Sequence, residues 1–244
     1  MEIKNAIALV TGANRGLGLA FAEALLARGA RKVYAAARDP RSVGLAGVEA
    51  IRLDVTDQAS IDEAAAALGD VNLIINNAGI ASLTSFLAED GLEQARAELE
   101  TNYFGPLRLS RAFAPALARN GGGAIINVLS VVSWVNIGGL STYSASKAAA
   151  WSLTNGLRAE LRDHGTQVLG LHMGYVDTDM ARGVTEPKSA PADIAGQTLD
   201  ALEAGLDEVL GDAVTKQVKA RLSAEHGVYL KPSDLAFSGL FGEH

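Results

Sequence analysis

Tyr143 and Lys147 stand four residues apart in Tyr143-Ser144-Ala145-Ser146-Lys147, inside a stretch of strong helical character. Residues at i and i+4 share a helix face, so a phenol and an ammonium would lie side by side. A phenol titrates near pH ~10, too high for easy proton exchange at neutral pH, and a neighbouring ammonium favours the phenolate and lowers that value. The pair predicts a general acid/base centred on Tyr143. Thirteen residues earlier stands Ser130, at the carboxyl end of a candidate strand, the edge at which open α/β sheets take ligands. Its hydroxyl could hold a carbonyl oxygen beside the phenol. Each signal has an ordinary alternative: Tyr-x-x-x-Lys arises on helices by chance, and a serine ending a strand is common turn chemistry.

A second group of residues points to a phosphate-bearing ligand. Thr11-Gly12-Ala13-Asn14-Arg15-Gly16-Leu17-Gly18 follows a short apolar run and opens a helical pattern. Gly12 permits the tight turn, Gly16 lets backbone approach a pyrophosphate, and Gly18 allows the helix to pack closely. The helix start would then offer free N–H groups and a partial positive charge. The spacing G-x-x-x-G-x-G departs from the common G-x-G-x-x-G fingerprint, and a plain left-handed turn would explain two of the glycines. A bound dinucleotide's adenosine ribose is read about 20 residues further on, by an acid for a free 2′-hydroxyl or by an arginine for a 2′-phosphate. Here the strand ends Ala37-Arg38-Asp39. Arg38, with Arg15 in the loop as a second positive charge, favours NADP over NAD. The alternative is Asp39 as the ribose-binding acid, although Asp39-Pro40 reads as the start of a turn.

These residues need a frame that brings strand ends and helix starts together. Short Val/Ile/Leu-rich runs at Ala6 to Val10, Lys32 to Ala37, Val48 to Leu53, Val71 to Asn76, Ala124 to Leu129 and Gln167 to His172 read as strands, with Glu208 to Leu210 a short seventh. Helical patterns fall between them at about 16–28, 57–68, 91–119, 142–163, 191–204 and 212–223. That alternation predicts an α/β fold: one Rossmann-type, doubly wound parallel sheet of six to seven strands with helices on both faces. We read residues 1–244 as one domain with an irregular tail from about 225, containing Pro232, Gly239 and Gly242.

Composition limits the chemistry further. With 48% hydrophobic and 20% charged residues the chain has the material for a folded core. Its 21 basic and 28 acidic residues leave a net charge of −7, which gains nothing from phosphate attraction, so nucleic acid is not expected as a partner. The absence of cysteine excludes disulfides, thiolate zinc sites, iron–sulfur clusters and a cysteine nucleophile, and fits a cytoplasmic protein. His164, His172, His226 and His244 show no ligand spacing, so no metal is expected. No apolar run approaches the roughly 18 residues of a membrane span, and the amino terminus does not read as a signal peptide.

Taken together, the motifs resemble those of the short-chain dehydrogenase/reductases over nearly the whole chain. Thr11 through Gly18 match the family's glycine loop, Asp54-Val55 its adenine-contacting position, and Asn76-Asn77-Ala78-Gly79 its N-N-A-G strand end. Asn102 falls where the family has its helix asparagine, and Ser130, Tyr143 and Lys147 complete a tetrad. The resemblance implies hydride transfer between a nicotinamide and a carbonyl or alcohol carbon. Tyr143 would move the proton, Ser130 orient the carbonyl, Lys147 bind the nicotinamide ribose and tune Tyr143, and Asn102 hold a water linking Lys147 to solvent. It also implies cofactor contacts from Gly12, Asn14, Arg15, Gly16, Leu17, Gly18, Arg38, Asp54, Val55, Asn77, Ala78, Gly79, Gly174, Val176 and Thr178. The family's usual proline is Met173 here, and the long final strand that helps build tetramers is missing. A homodimer through the helices at 91–119 and 142–163 is therefore expected, with a homotetramer as the alternative.

The segments bordering the nicotinamide would be Ala81 to Phe86, Ser133 to Leu140 and Tyr175 to Pro191. They carry Trp134, Val135, Ile137, Leu140, Tyr175, Val176 and Met180 with few charges, which predicts an uncharged, fairly apolar ketone or aldehyde. Each could equally be packing core. An NADP-binding redox sensor of the same fold is the alternative reading; such proteins often lose the Tyr/Lys pair, which this chain keeps.

Overall fold

Every interior strand of this chain is apolar on both sides, and the structure shows what covers each side. The computed structural model describes residues 1–231; Pro232, Gly239 and Gly242 lie outside them. Seven strands, β1 (Ile7–Thr11), β2 (Lys32–Ala37), β3 (Glu49–Arg52), β4 (Leu73–Asn76), β5 (Ala124–Val128), β6 (Gln167–His172) and β7 (Glu208–Leu210), form one parallel sheet in the order 3-2-1-4-5-6-7. This is the Rossmann order.

Side chains alternate across the sheet. Ala8, Val10, Ile75, Ile126 and Leu171 face a core completed by Phe21 and Leu25 of α1 (Gly16–Ala27) and Ile194 and Leu199 of α6 (Pro191–Glu203). Ile7, Leu9, Ile74, Ile125 and Val168 face the opposite core, against α2 (Gln58–Ala67), α4 (Gly105–Arg119) and α5 (Ser141–Glu160). A third cluster joins the segment after β5 to α7 (Ala213–Arg221). Among the described residues no helix is long and apolar enough to cross a membrane.

Two departures from the sequence reading matter for the site. The pattern at 91–119 is two helices, α3 (Gly91–Leu99) and α4, joined by a π-helical turn at Glu100–Phe104 that contains Asn102. Hydrophobic periodicity carries through such a turn because the chain stays helical, so apolar spacing alone does not show it. Within the expected tail, a 3-10 turn at Val228–Leu230 buries Val228 in the third cluster.

Candidate active site

Strand order reverses between β1 and β4, and the ligand crevice of such a sheet opens there, at the carboxyl ends of the strands. The glycine loop lies at this point. Gly12 and Gly16 have φ of +63° and +55°, a left-handed backbone that favours glycine. A Cβ on Gly18 would stand 2.3 Å from the Gly12 carbonyl oxygen and 2.5 Å from Asn77 Nδ2. Asn77 is spent on the loop itself, Nδ2 donating to the Thr11 and Gly12 carbonyls at 2.9 and 3.3 Å. The N–H groups of Asn77 and Ala78 both donate to Thr11 Oγ1 at 3.0 Å. The N-A-G strand end therefore shapes the glycine loop.

Helix α1 begins with no side-chain cap and no acid in its first turn, which leaves its first N–H groups free for an anion. Beside it a cleft of about 480 Å³ is lined by Gly16, Asp177, Thr178, Asp179, Arg182 and Lys188. An unblocked helix start beside left-handed glycine backbone fits a dinucleotide diphosphate, while the cleft's Arg182 and Lys188 are paired with its Asp179 and Asp177. Leu17, Val55 and Val176 bury their side chains in the cores, so only their backbones can reach a ligand. The Gly174 N–H is already held by the Asp212 carboxylate at 2.6 Å.

At the ribose end, Asp39 caps the turn at Pro40–Ser42, accepting the Arg41 N–H at 3.0 Å and pairing with its guanidinium at 2.9 and 3.0 Å. These bonds hold Asp39 below its usual carboxylate range and make it a turn residue. Arg38 is exposed and forms no salt bridge among the described residues. Arg15 turns instead to Asp179, at 3.0 Å. Asp54 accepts from Thr56 N and Oγ1 at 2.9 and 2.7 Å, bonds that hold it low, with Arg38 and Arg52 assisting.

The tetrad residues gather past β5 and along α5. Ser130 lies two residues past β5 in extended backbone and caps the turn at Val131–Ser133. The Lys147 ammonium donates to the Val128 carbonyl at 2.8 Å and lies 5.7 Å from the centre of the Tyr143 ring. Burial pulls Lys147 down to about 8.

Here the expectation for Tyr143 is corrected. Its phenol is held well above its ordinary value, chiefly by burial, then by the charge of Glu98, with the Ser130 hydroxyl pulling the other way. Desolvation of the phenolate outweighs any help from an ammonium that spends a proton on β5.

Asn102 is buried with its carboxamide fully engaged. Oδ1 accepts from Ile80 N at 3.0 Å, while Nδ2 donates to Ile80 O and Ser146 Oγ, both at 2.9 Å. Ser146 Oγ donates in turn to the Tyr143 carbonyl at 2.8 Å. The Asn102 side chain is thus a positioning group for the Ile80 strip and for α5. Four residues earlier Glu98 is 0% exposed; its Oε1 accepts from Ser82 N at 2.7 Å and its Oε2 has no hydrogen-bond partner among the described residues. Sequence reasoning missed Glu98, although its four-residue spacing from Asn102 is the helical signal that could have found it.

Trp134, left open between substrate contact and core, packs in the third cluster. Its ring stacks on His172 at 3.9 Å and meets Trp151 edge-on at 6.4 Å. Val135 and Ile137 are buried with it. Of the bordering segments, Leu83, Phe86 and Met180 keep exposed apolar side chains.

A switch-point cleft with a glycine cradle and a Ser/Tyr/Lys group at one strand edge defines a nucleotide-dependent oxidoreductase of Rossmann type. Residues 6–189 match the short chain dehydrogenase family, and the chain belongs to it. It is 34% identical over 199 residues to the 3-oxoacyl-[acyl-carrier-protein] reductase FabG of Escherichia coli (strain K12), covering 78% of this chain and 81% of that one. A 1-deoxy-11-beta-hydroxypentalenate dehydrogenase of Streptomyces exfoliatus is 35% identical over 207 residues, covering 79% and 75%. Among solved structures, a short chain dehydrogenase from Burkholderia cenocepacia J2315 in complex with NADP superposes with a TM-score of 0.90 over 100% of both chains at 41% identity. One from Burkholderia phymatum in complex with NAD gives 0.80 at 27% identity, covering 91% and 94%. The fold is that of a nicotinamide-cofactor oxidoreductase.

Proposed function

We propose that this chain is an NADP(H)-dependent carbonyl reductase or alcohol dehydrogenase for small to medium, uncharged, fairly apolar substrates. The observation that carries the reading is the placement of Ser130, Tyr143 and Lys147 at the sheet edge beside the glycine cradle. Gly12, Gly16, Gly18 and the start of α1 would hold the diphosphate, and Arg38 the 2′-phosphate. When bound, the nicotinamide exchanges a hydride with the substrate carbon. Tyr143, half-buried and kept protonated by the loss of solvent around its hydroxyl, gives its proton to the carbonyl oxygen in reduction, and the Ser130 hydroxyl donates to the same oxygen and orients it. The Lys147 ammonium places positive charge beside that oxygen and the cofactor ribose. Leu83, Phe86 and Met180 offer the apolar contact for the substrate.

NADP is favoured over NAD because Arg38 is exposed and forms no salt bridge among the described residues, while Asp39 is committed to Arg41. A homodimer is favoured through α4 and α5, whose outer face forms a groove of about 540 Å³ that includes Leu107, Leu153 and Leu157; a tetramer is the alternative. A cysteine-free chain fits the cytoplasm.

The test follows NADPH absorbance with a panel of ketones and aldehydes. Turnover by the natural chain and its loss in Tyr143→Phe, with NADPH binding kept, is the expected result. Binding of NADPH without turnover of any carbonyl would replace this reading with the redox sensor.

A further inference from the structure

His172 ends β6 with its imidazole 1% exposed, and the tetrad gives it no role. Its Nδ1 lies 3.1 Å from the Ser130 carbonyl oxygen, and its Nε2 lies 3.6 Å from Glu208 Oε1. One ring face stacks on Trp134, at 3.9 Å and an interplanar angle of 22°. The Lys219 ammonium of α7 stands 4.7 Å from the Trp134 ring centre and donates to Glu208 Oε1 at 2.9 Å.

We propose that His172 is a positioning residue for Ser130, donating its Nδ1–H to the Ser130 carbonyl, and that Trp134, covered by the Lys219 ammonium that Glu208 holds, fixes the imidazole for that purpose. This rests on the role given above to the Ser130 hydroxyl.

A neutral imidazole has one N–H to place between two oxygens. The Ser130 carbonyl is within hydrogen-bond reach, whereas Glu208 is beyond it and its charge is already met by Lys219. Burial pushes His172 down to about 3, against the upward pull of the bond to the Ser130 carbonyl and with Lys219, Arg158 and Lys147 assisting, so the neutral ring is the form present. The proton therefore belongs on Nδ1. The Ser130 carbonyl accepts from Ser133 N as well, at 3.0 Å, and the Ser130 N–H donates to Ser133 Oγ at 3.3 Å. Both ends of the residue are then fixed, and with them the Cα–Cβ bond that carries the hydroxyl, which itself accepts from Val132 N at 3.3 Å. The stack makes α7, the last helix among the described residues, a support for the site, and the Asp212 bond to Gly174 N makes a second such tie.

Nitrogen NMR of the histidine rings in the natural chain should show His172 as the neutral Nδ1–H tautomer, and an Nε2–H tautomer or an imidazolium at neutral pH would overturn the proposal. His172→Phe keeps a ring against Trp134 but has no donor; kcat should fall about tenfold, the loss of one neutral hydrogen bond, with NADPH affinity and melting temperature near those of the natural chain. His172→Asn puts an amide N–H near the Nδ1 position and should restore kcat to within about threefold of the natural chain. Unchanged kcat in His172→Phe, or no recovery in a folded His172→Asn, would overturn it. Should both variants fail to fold, or the natural chain turn over no carbonyl, the tautomer decides alone, and the second result counts against the function proposed above.

Discussion

The Lys147 ammonium is anchored on the Val128 carbonyl at 2.8 Å, so the lysine of the Tyr/Lys pair is held by the sheet and not by the phenol four residues before it. Burial pulls its pKa from 10.5 to about 8. Between those values the unfolded chain binds a proton that the folded chain has released, so stability should rise with pH across that window. Lys147→Met removes the buried charge. Allowing for the lost bond to Val128, we expect stability near neutral pH to rise by about 1–2 kcal/mol, the alkaline rise to flatten and turnover to vanish. Denaturant unfolding at neutral and alkaline pH checks this; a less stable variant would show that the Val128 bond outweighs the desolvation.

Glu98 raises the Tyr143 pKa from a fully buried position. Glu98→Gln keeps an acceptor for the Ser82 N–H but removes the charge, so the phenol should ionise more readily. The ascending limb of kcat/KM in alcohol oxidation, where the phenol must be ionised to take the proton, should move toward lower pH by roughly half to one pH unit. A limb that stays in place would show that the phenol does not sense this carboxylate.

Arg38→Ala should weaken NADPH binding about 10- to 100-fold, the worth of a charge-assisted hydrogen bond, and leave NADH within about threefold. Fluorescence titration with both cofactors reads the difference. Equal losses would remove the 2′-phosphate from the role of Arg38.

Gly18→Ala would place a Cβ 2.3 Å from the Gly12 carbonyl oxygen, and backbone cannot retreat without opening the loop. We expect a loss of more than about 2 kcal/mol and loss of NADP(H) binding. Gly69→Ala, where a Cβ meets nothing within 4 Å, should change stability by no more than about 0.5 kcal/mol. Calorimetry of both variants provides the comparison; near-equal melting temperatures would contradict the packing argument.

Periodicity, glycine spacing and the Tyr143–Lys147 interval are local properties of the chain, and the sequence by itself determined from them the parallel sheet, the cradle and the residues at its edge. The ends of β6 and β7 were legible for the same reason, since buried apolar runs bounded by polar residues mark strands. What stands opposite each group was decided only by the tertiary structure. Glu98 reaches Tyr143, 45 residues away along the chain, and Lys219 reaches Trp134 and Glu208 because α7 folds back onto the segment after β5. The direction of the Tyr143 shift followed the same rule. Residue type gives a phenol and an ammonium, but burial and the charges brought in from distant helices set which proton each one keeps.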